Sequence, residues 1–318
     1  MKYIRTVVYF TVFALLVGCS TNLLEGTVEG IRVTVIAADG PTPVYDAKVT
    51  VEGETEDFKA QKRSSVDGTV SFDGMPDDDY SLDAESKNGV LVGKMRVNVY
   101  DGRSADGLYF QLSTKADGAC VLMVNGTYDR VGDTMERLGY LYTTVDAEDL
   151  ADPDTFAAAD ALILNSGCGE GPAQDQAVID NIRAFVDGGG RLIVSGRAND
   201  YVDAVWPNAI TYIDGASGSG LQQTTVSFDY GDLNSYMLGN PVTVKYKVEG
   251  FPVMTGTTGI VLASGDVKHS GGTAADAPVI VSFARGEGMV TYTNFAWFEQ
   301  DHAEDVARRL FNYIIANR

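Results

Sequence analysis

Hydrophobic and polar residues alternate along the first third of the chain. Between residues 26 and 115, Val, Ile, Ala, Leu and Phe recur at every second position in short runs, and Gly, Pro and Asp-Gly pairs separate the runs. The clearest runs cover residues 31–35, 47–51, 70–72 and 80–84. A period of two buries one face of each strand, and many short strands with turns between them are typical of a β-sandwich. The pattern therefore predicts an all-β sandwich of antiparallel strands.

From residue 116 onward, continuous apolar runs replace the alternation. Residues 120–124, 161–164 and 192–194 are predicted strands, and apolar stripes at helical spacing lie between them. Strands that are apolar on both faces and alternate with helices indicate a parallel sheet covered on both sides. We therefore expect a multidomain chain in which residues 116–318 form an α/β, flavodoxin-like, three-layer domain. Short β-like segments within residues 207–282 predict an insertion with extra strands beside the ligand edge of that sheet.

The N-terminus combines positive charge, a short apolar run and a cysteine. Lys2 and Arg5 precede the apolar run 7–17, which has the form of a secretory signal and is shorter than the ~20 residues that a membrane-spanning helix needs. A cleaved signal with an incidental cysteine and an uncleaved anchor are the alternatives. The segment Leu16-Val17-Gly18-Cys19 resembles the lipobox of bacterial lipoproteins.

This resemblance implies a signal peptide over residues 1–18, a diacylglycerol thioether on Cys19 and a lipidated linker over residues 19–25. The lipid would attach the chain to the bacterial cell envelope, with the periplasmic face of the outer membrane or the cell surface as the expected location. Ser20 follows the cysteine where inner-membrane retention would favour Asp, so the outer membrane is expected if the host has one.

The charge balance restricts the classes of partner that the chain can bind. The chain carries 44 acidic and 24 basic residues, a net charge of −20. Such a chain lacks the clustered Lys and Arg that nucleic acid requires, so no nucleic-acid partner is expected. Its attraction to anionic lipid is also weak, so membrane attachment would depend on the lipid at Cys19.

The sandwich segment carries motifs in a specific order. An A-x-V-x-V run at residues 47–51 is followed by Asp67-Gly68 and then by Met75-Pro76 four residues before Tyr80. This order resembles the carboxypeptidase regulatory-like domain, which implies a transthyretin-like spacer or adhesive module over residues 26–115. Asp79 departs from the Gly that usually precedes the tyrosine. The acidic run 77–79 suggests calcium, but a solvated turn is the simpler explanation because calcium needs 6–8 oxygens from staggered positions.

The second part resembles the class I glutamine-amidotransferase-like superfamily over roughly residues 118–318. The motifs that carry the resemblance occupy residues 160–164, 185–189, 191–194 and 286–295. Enzymes of the superfamily place a Cys in the turn after the strand that corresponds to residues 192–194, where this chain has Ser195-Gly196-Arg197. They place a His after the late strand, where Asn294-Phe295 is followed by Ala296-Trp297. The resemblance thus implies the fold without its catalytic Cys and His.

Cys168 is the alternative nucleophile. It lies in a Gly-rich loop after a predicted strand, but that loop does not have the spacing of a nucleophile elbow, and Glu170 would raise the pKa of the thiol.

Cys120 opens the neighbouring strand, so in a parallel sheet the two thiols would be about 15 Å apart and unpaired. With His269 and His302 distant in sequence, no zinc site, other metal or cofactor is expected.

The expected function is that of a non-catalytic envelope lipoprotein that binds a small ligand or an envelope protein. Its binding site should lie where loops meet at the carboxyl edge of the parallel strands. The candidate residues are Asn125, Thr127, Asn165, Ser166, Cys168, Glu170, Arg197, Asn199 and Asn294, with Trp297 and Trp206 as aromatic walls. A cysteine-dependent hydrolase or transferase that uses Cys168, and a surface adhesin that binds through the β-sandwich, are the alternatives.

Overall fold

The computed structural model describes residues 27–114, 121–169, 171–239, 241–300 and 305–317. The predicted signal peptide, Cys19 and the linker lie outside these ranges, as do Cys120, Glu170 and His302. Within the described ranges, no helix is both long and apolar enough to cross a membrane.

The first part of the chain is built from β-strands alone. They are β1 (Thr27–Glu29), β2 (Ile31–Ile36), β3 (Lys48–Gly53), β4 (Lys59–Arg63), β5 (Thr69–Phe72), β6 (Asp78–Glu85), β7 (Leu91–Val99), β8 (Arg103–Ala105), β9 (Leu108–Gln111) and β10 (Ser113–Thr114). One antiparallel sheet has the order β10-β7-β6-β3-β4, a second has the order β5-β2-β9, and β1 pairs with β8. The alternation seen in the sequence is real, since Ile31, Val33 and Val35 of β2 are fully buried.

The inner faces of the two larger sheets share one hydrophobic core, to which β2 contributes Val33 and β6 contributes Leu82. The expectation of purely antiparallel pairing is wrong at one place, because β2 and β9 run parallel. One edge of β2 pairs with β9, and its other edge pairs with β5.

The second part contains all the α-helices and the largest sheet of the described chain. Its strands are β11 (Val121–Val124), β12 (Thr143–Val145), β13 (Ala161–Leu164), β14 (Arg191–Ser195), β15 (Ile210–Ser217), β16 (Gln222–Ser227), β17 (Val242–Tyr246), β18 (Pro252–Thr257), β19 (Ile260–His269), β20 (Gly272–Arg285) and β21 (Gly288–Thr293). Its α-helices are α1 (Val131–Arg137), α2 (Gln176–Asp187), α3 (Asn199–Val205), α4 (Gly231–Tyr236) and α5 (Asp305–Asn317). Short 3₁₀ helices occupy Ala147–Ala151, Pro153–Phe156, Pro172–Gln174, Gly196–Ala198 and Trp297–Glu299.

The large sheet is mixed, with the order β12-β11-β13-β14-β21-β20-β19-β16-β17. The first five of these strands are parallel, as the apolar runs predicted, and the pairs from β21 to β17 are antiparallel. The expectation of a parallel sheet is therefore correct for one half only. Residues 207–282 do supply extra strands, but most of these extend the sheet sideways through hairpins, which need no crossover helix. Only β15 and β18 form a separate ribbon. The chain as a whole is mostly β, with several sheets.

Helix α2 begins later than the sequence indicated. Pro172 starts a 3₁₀ turn, and the α-helix begins after Asp175, whose carboxylate accepts a hydrogen bond from the Ala177 N–H at 2.8 Å. The predicted apolar stripe holds, since Val178, Ile182 and Val186 are buried against the sheet.

The two parts of the chain are in direct contact. The hydroxyl of Tyr236 donates to the Pro43 carbonyl at 2.7 Å, and the Leu141 N–H donates to Thr114 Oγ1 at 2.9 Å. Buried residues of both parts, from Val35 to Phe311, belong to one core cluster. The predicted boundary near residue 115 lies within residues 115–120, outside the described ranges.

The acidic run 77–79 serves the turns of the sandwich. Asp77 accepts a hydrogen bond from the Gly102 N–H, and Asp79 accepts one from the Asn98 amide. Asp78 accepts four, from the N–H and hydroxyl of Thr55 and from the N–H groups of Glu56 and Asp79. These donors, with the Glu56 N–H first, lower the pKa of Asp78 to about 2. Each acid thus has its own donors, and within the described ranges no three metal-ligating side chains form a cluster.

Limited proteolysis of the mature chain should cut on the C-terminal side of Thr114, within residues 115–118, and leave two folded pieces. Because the pieces share a hydrophobic core, we expect them to elute together in gel filtration and to separate only when denaturant is added. A first cut within either folded part, seen by mass spectrometry of the fragments, would contradict the proposed boundary.

The Asp78 carboxylate should titrate with a midpoint near pH 2, measured by NMR. Since its pKa is lower in the folded chain, its stabilising effect is complete above the pKa of the unfolded chain and is lost as the pH falls from about 4 to about 2. Asp78→Asn should therefore lower the melting temperature at pH 7, and the difference from the wild type should shrink toward pH 2. Asp83→Asn, on an exposed residue of the same strand, is the matched control. An equal difference at both pH values would contradict the assignment.

Candidate functional site

Loops from three strands of the large sheet meet around the buried carboxylate of Asp129. Its Oδ2 accepts hydrogen bonds from Ser195 Oγ at 2.6 Å and the Trp297 N–H at 3.0 Å. Its Oδ1 accepts the N–H groups of Arg130 at 2.8 Å and Phe298 at 3.2 Å. Burial raises the pKa of Asp129, and the four donors oppose that shift. The carboxylate therefore joins the loops that follow β11, β14 and β21.

Two predicted site residues, Asn165 and Ser166, hold these loops in register. The Asn165 amide donates to the Val124 carbonyl at 2.7 Å and accepts from the Val131 N–H at 3.2 Å. The Ser166 hydroxyl accepts the Arg197 N–H at 2.8 Å. Asn165 is fully buried and both ends of its amide group have backbone partners, so the structure shows it in a structural role.

A surface cavity of about 290 Å³ opens at the carboxyl ends of β11, β13 and β14. Three predicted residues, Thr127, Cys168 and Arg197, line it. Its remaining lining residues are Tyr128, Gly167, Gly169, Ala198, Asp200 and Tyr201. The sequence pattern therefore located the cavity, although it did not identify Tyr128, Asp200 or Tyr201.

Four other predicted residues do not line this outer cavity. Asn125 is exposed, and the Asn199 side chain approaches Asp200 and Asp203 at the start of α3. Trp297 and Trp206 are buried in the hydrophobic core, where Trp206 packs edge-on against Phe283. The two tryptophans are therefore core residues, and the expectation of aromatic walls is wrong. Glu170 lies outside the described ranges.

A second, smaller cavity lies beside the first and is separated from it by Arg197 and Tyr128, which line both. The guanidinium of Arg197 lies over the Tyr128 ring, 4.8 Å from its centroid. Asn294 lines this inner cavity and is fully buried. Its Oδ1 accepts a hydrogen bond from the Tyr246 hydroxyl at 2.8 Å, and its Nδ2 has no hydrogen-bond partner among the described residues.

The turn after β14 is packed closely against Ser166. Gly196 has φ +51°, a left-handed conformation that favours glycine. A Cβ added there would lie 2.5 Å from Ser166 Oγ and 2.8 Å from Ser166 Cβ. The preceding Ser195 is buried and its hydroxyl already donates to Asp129. A side chain at residue 196 would therefore require Ser166 to move.

Cys168 is a buried, free thiol in a tight turn closed by a hydrogen bond from its N–H to the Asn165 carbonyl at 3.0 Å. Burial raises the pKa of the thiol to about 12, and a hydrogen bond with Tyr201 opposes the shift only in part. Cys168 is therefore protonated at neutral pH, and burial is the main cause where the sequence suggested Glu170. The other predicted free thiol, Cys120, lies outside the described ranges.

Comparisons with known proteins give only distant likeness. No family model and no curated protein matches the sequence. Similar solved structures include a β-galactosidase from Rahnella sp. R3, at 16% identity and a TM-score of 0.43, with 63% of this chain and 32% of that chain covered. The chain thus spans about a third of the length of that enzyme.

A ThuA-like protein from Bacteroides uniformis matches at 12% identity and a TM-score of 0.43, covering 64% of this chain and 95% of that chain. A GMP synthase subunit from Thermoplasma acidophilum matches at 13% identity and a TM-score of 0.42, covering 63% and 94%. These three TM-scores are below 0.5, so the likenesses carry no statement about function.

Alkylation of Cys168 should be slow in the folded chain. The thiolate is the reacting species, so a pKa near 12 lowers the rate at pH 8 by about 100- to 1,000-fold relative to an unfolded thiol. Iodoacetamide labelling of a Cys120→Ser variant of the mature chain, followed by mass spectrometry, measures this rate. Between pH 7 and 10 the rate should rise tenfold per pH unit in the folded chain and level off near pH 9 in urea. A folded-state rate that levels off below pH 8 would indicate an activated thiol.

Removal of the Asp129 carboxylate should destabilise the site strongly. Asp129→Ala leaves three backbone N–H groups and the Ser195 hydroxyl without their acceptor, and we expect the free energy of unfolding to fall by about 2–4 kcal/mol. Urea denaturation measures the change. Asp133→Ala, on an exposed acid of α1, is the matched control and should change stability by less than about 0.5 kcal/mol. A similar loss in both variants would show that Asp129 has no special role.

Proposed function

We propose that this chain is a lipid-anchored, non-catalytic binding protein of the bacterial envelope. In this proposal, Cys19 carries the lipid, residues 26–115 form a carboxypeptidase regulatory-like sandwich, and residues 116–318 form a class I glutamine-amidotransferase-like domain without catalytic function. The turn at Gly196 is the observation that carries the proposal. It has the left-handed backbone of a nucleophile elbow, and the contact with Ser166 excludes any side chain there.

The proposal of binding is supported by the position and chemistry of the outer cavity. It lies at the carboxyl edge of parallel strands, where α/β proteins bind their ligands. It brings the guanidinium of Arg197 together with Thr127, Asp200 and Tyr201, and a few polar groups at such an edge are typical of small-molecule sites. The ligand in this proposal is a small molecule; an envelope protein that reaches the same loops is the second possibility.

The alternative of a cysteine-dependent enzyme is less well supported. A nucleophilic cysteine needs a lowered pKa and a neighbouring base or positive charge. Cys168 is buried, its pKa is raised to about 12, and the side chains that perturb it are Tyr201 and Asp200, neither of which activates a thiol.

Acylation of Cys19 can be tested directly in a bacterial host. Mass spectrometry of the N-terminal peptide should show a diacylglycerol-modified Cys19 as the first residue, and fractionation should place the chain in the membrane pellet. Cys19→Ser should abolish both the modification and the cleavage before residue 19. Cys168→Ser is the matched control and should leave both unchanged. A mature peptide that begins at another residue, or an unmodified Cys19, would refute the lipoprotein proposal.

A further inference from the structure

We propose that the inner and outer cavities form one binding site for a small monocarboxylate, with the carboxylate held between Arg197 and the amide of Asn294. This inference rests on the proposed binding function and specifies the class of its ligand. It is based on Arg197 and Tyr128, the two residues that line both cavities.

The inner end of the site offers a hydrogen-bond donor. Asn294 is fully buried, and its Oδ1 is occupied by the Tyr246 hydroxyl. The Nδ2 group lacks a partner among the described residues although it is excluded from solvent. A buried polar group without a partner is costly, and an oxygen of a ligand would remove that cost.

The second donor is Arg197. Its backbone N–H is bound to Ser166, and its guanidinium contacts the Tyr128 ring without an ion pair to any described acid. A planar guanidinium can donate two parallel hydrogen bonds to a carboxylate, which gives the site a preference for planar anions. Both identified groups are donors, so the group that binds them must be an acceptor.

Size and charge restrict the rest of the ligand. The inner cavity has room for about one water molecule, whereas the outer cavity of about 290 Å³ is at the lower end of the range for small-molecule sites. One carboxylate oxygen would thus occupy the inner cavity after a side-chain rotation of Arg197 and Tyr128, and the rest of the ligand would stay in the outer cavity. Asp200 lines that cavity and would repel a second negative charge, which favours a monocarboxylate over a dicarboxylate.

The test is an NMR titration of the full mature chain in detergent, labelled with ¹⁵N-arginine and followed at the Arg197 Nε–H signal. Sodium propionate is the probe, and propionamide, malonate and sodium chloride at equal ionic strength are the comparisons. We expect saturable shifts with propionate, at least about tenfold weaker binding of malonate, and no saturable shift with propionamide or chloride.

Variants locate the two ends of the site. Arg197→Gln should weaken propionate binding at least about tenfold in ligand-observed NMR, and Arg197→Lys should restore part of the loss. Asn294→Asp should weaken propionate binding at least as much, because the substitution replaces the Nδ2 donor by an acceptor. Arg130→Gln is the matched control: Arg130 also lies over an aromatic ring, that of Phe298, but lines neither cavity. It should bind propionate like the wild type.

Equal responses to propionate and chloride would show an adventitious anion only and overturn the proposal, as would propionate binding that survives Arg197→Gln. If Asn294→Asp does not fold, the propionate and propionamide titrations of the wild type still decide whether the site binds a carboxylate. Saturable binding of neutral probes at these loops without any response to propionate would refute the carboxylate proposal and leave the proposed binding function in place.

Discussion

The buried carboxylate of Asp129 is the interaction on which the candidate site depends. A carboxylate of this kind is costly to remove from water, and four donors from three loops offset part of that cost. The same bonds bring the ends of β11, β14 and β21 together beside the outer cavity. Ser195 contributes to this arrangement through both hydrogen-bonding functions of its hydroxyl. Its hydroxyl donates to Asp129 and accepts from the Ser166 N–H, so both of its functions are used in holding loops.

Much of the local structure could be predicted, because it follows from periodicity. The alternation at Ile31, Val33 and Val35 and the continuous run at 161–164 correspond to strands of the expected kinds. The parallel pairing of β2 with β9 and the antiparallel half of the large sheet could not be predicted, since partner choice depends on contacts between residues far apart in sequence. Residues 207–282 illustrate this point, because their short apolar runs indicated strands without indicating which sheet they join.

The site was predicted in part. Thr127, Cys168 and Arg197 were found because parallel strands place their carboxyl ends at one edge, which is a property of topology. The sequence analysis did not identify Asp129. The signal that could have found it is its position, as an acid in the loop after the first buried strand of the parallel sheet. Trp297 and Trp206 were misplaced because sequence position near an edge does not distinguish a side chain that points to solvent from one that points to the core. Burial of that kind is decided by packing against α5 and β20, which no local pattern reveals.

The contact between Gly196 and Ser166 has a consequence for how this chain relates to enzymes. A cysteine introduced at residue 196 would meet the Ser166 side chain, and a smaller residue at 166 would by itself remove the acceptor of the Arg197 N–H. Each substitution alone is therefore unfavourable, and only the two together make room for a reactive group. Residues 166 and 196 are therefore coupled at this turn, and a side chain at residue 196 fits only when residue 166 changes with it.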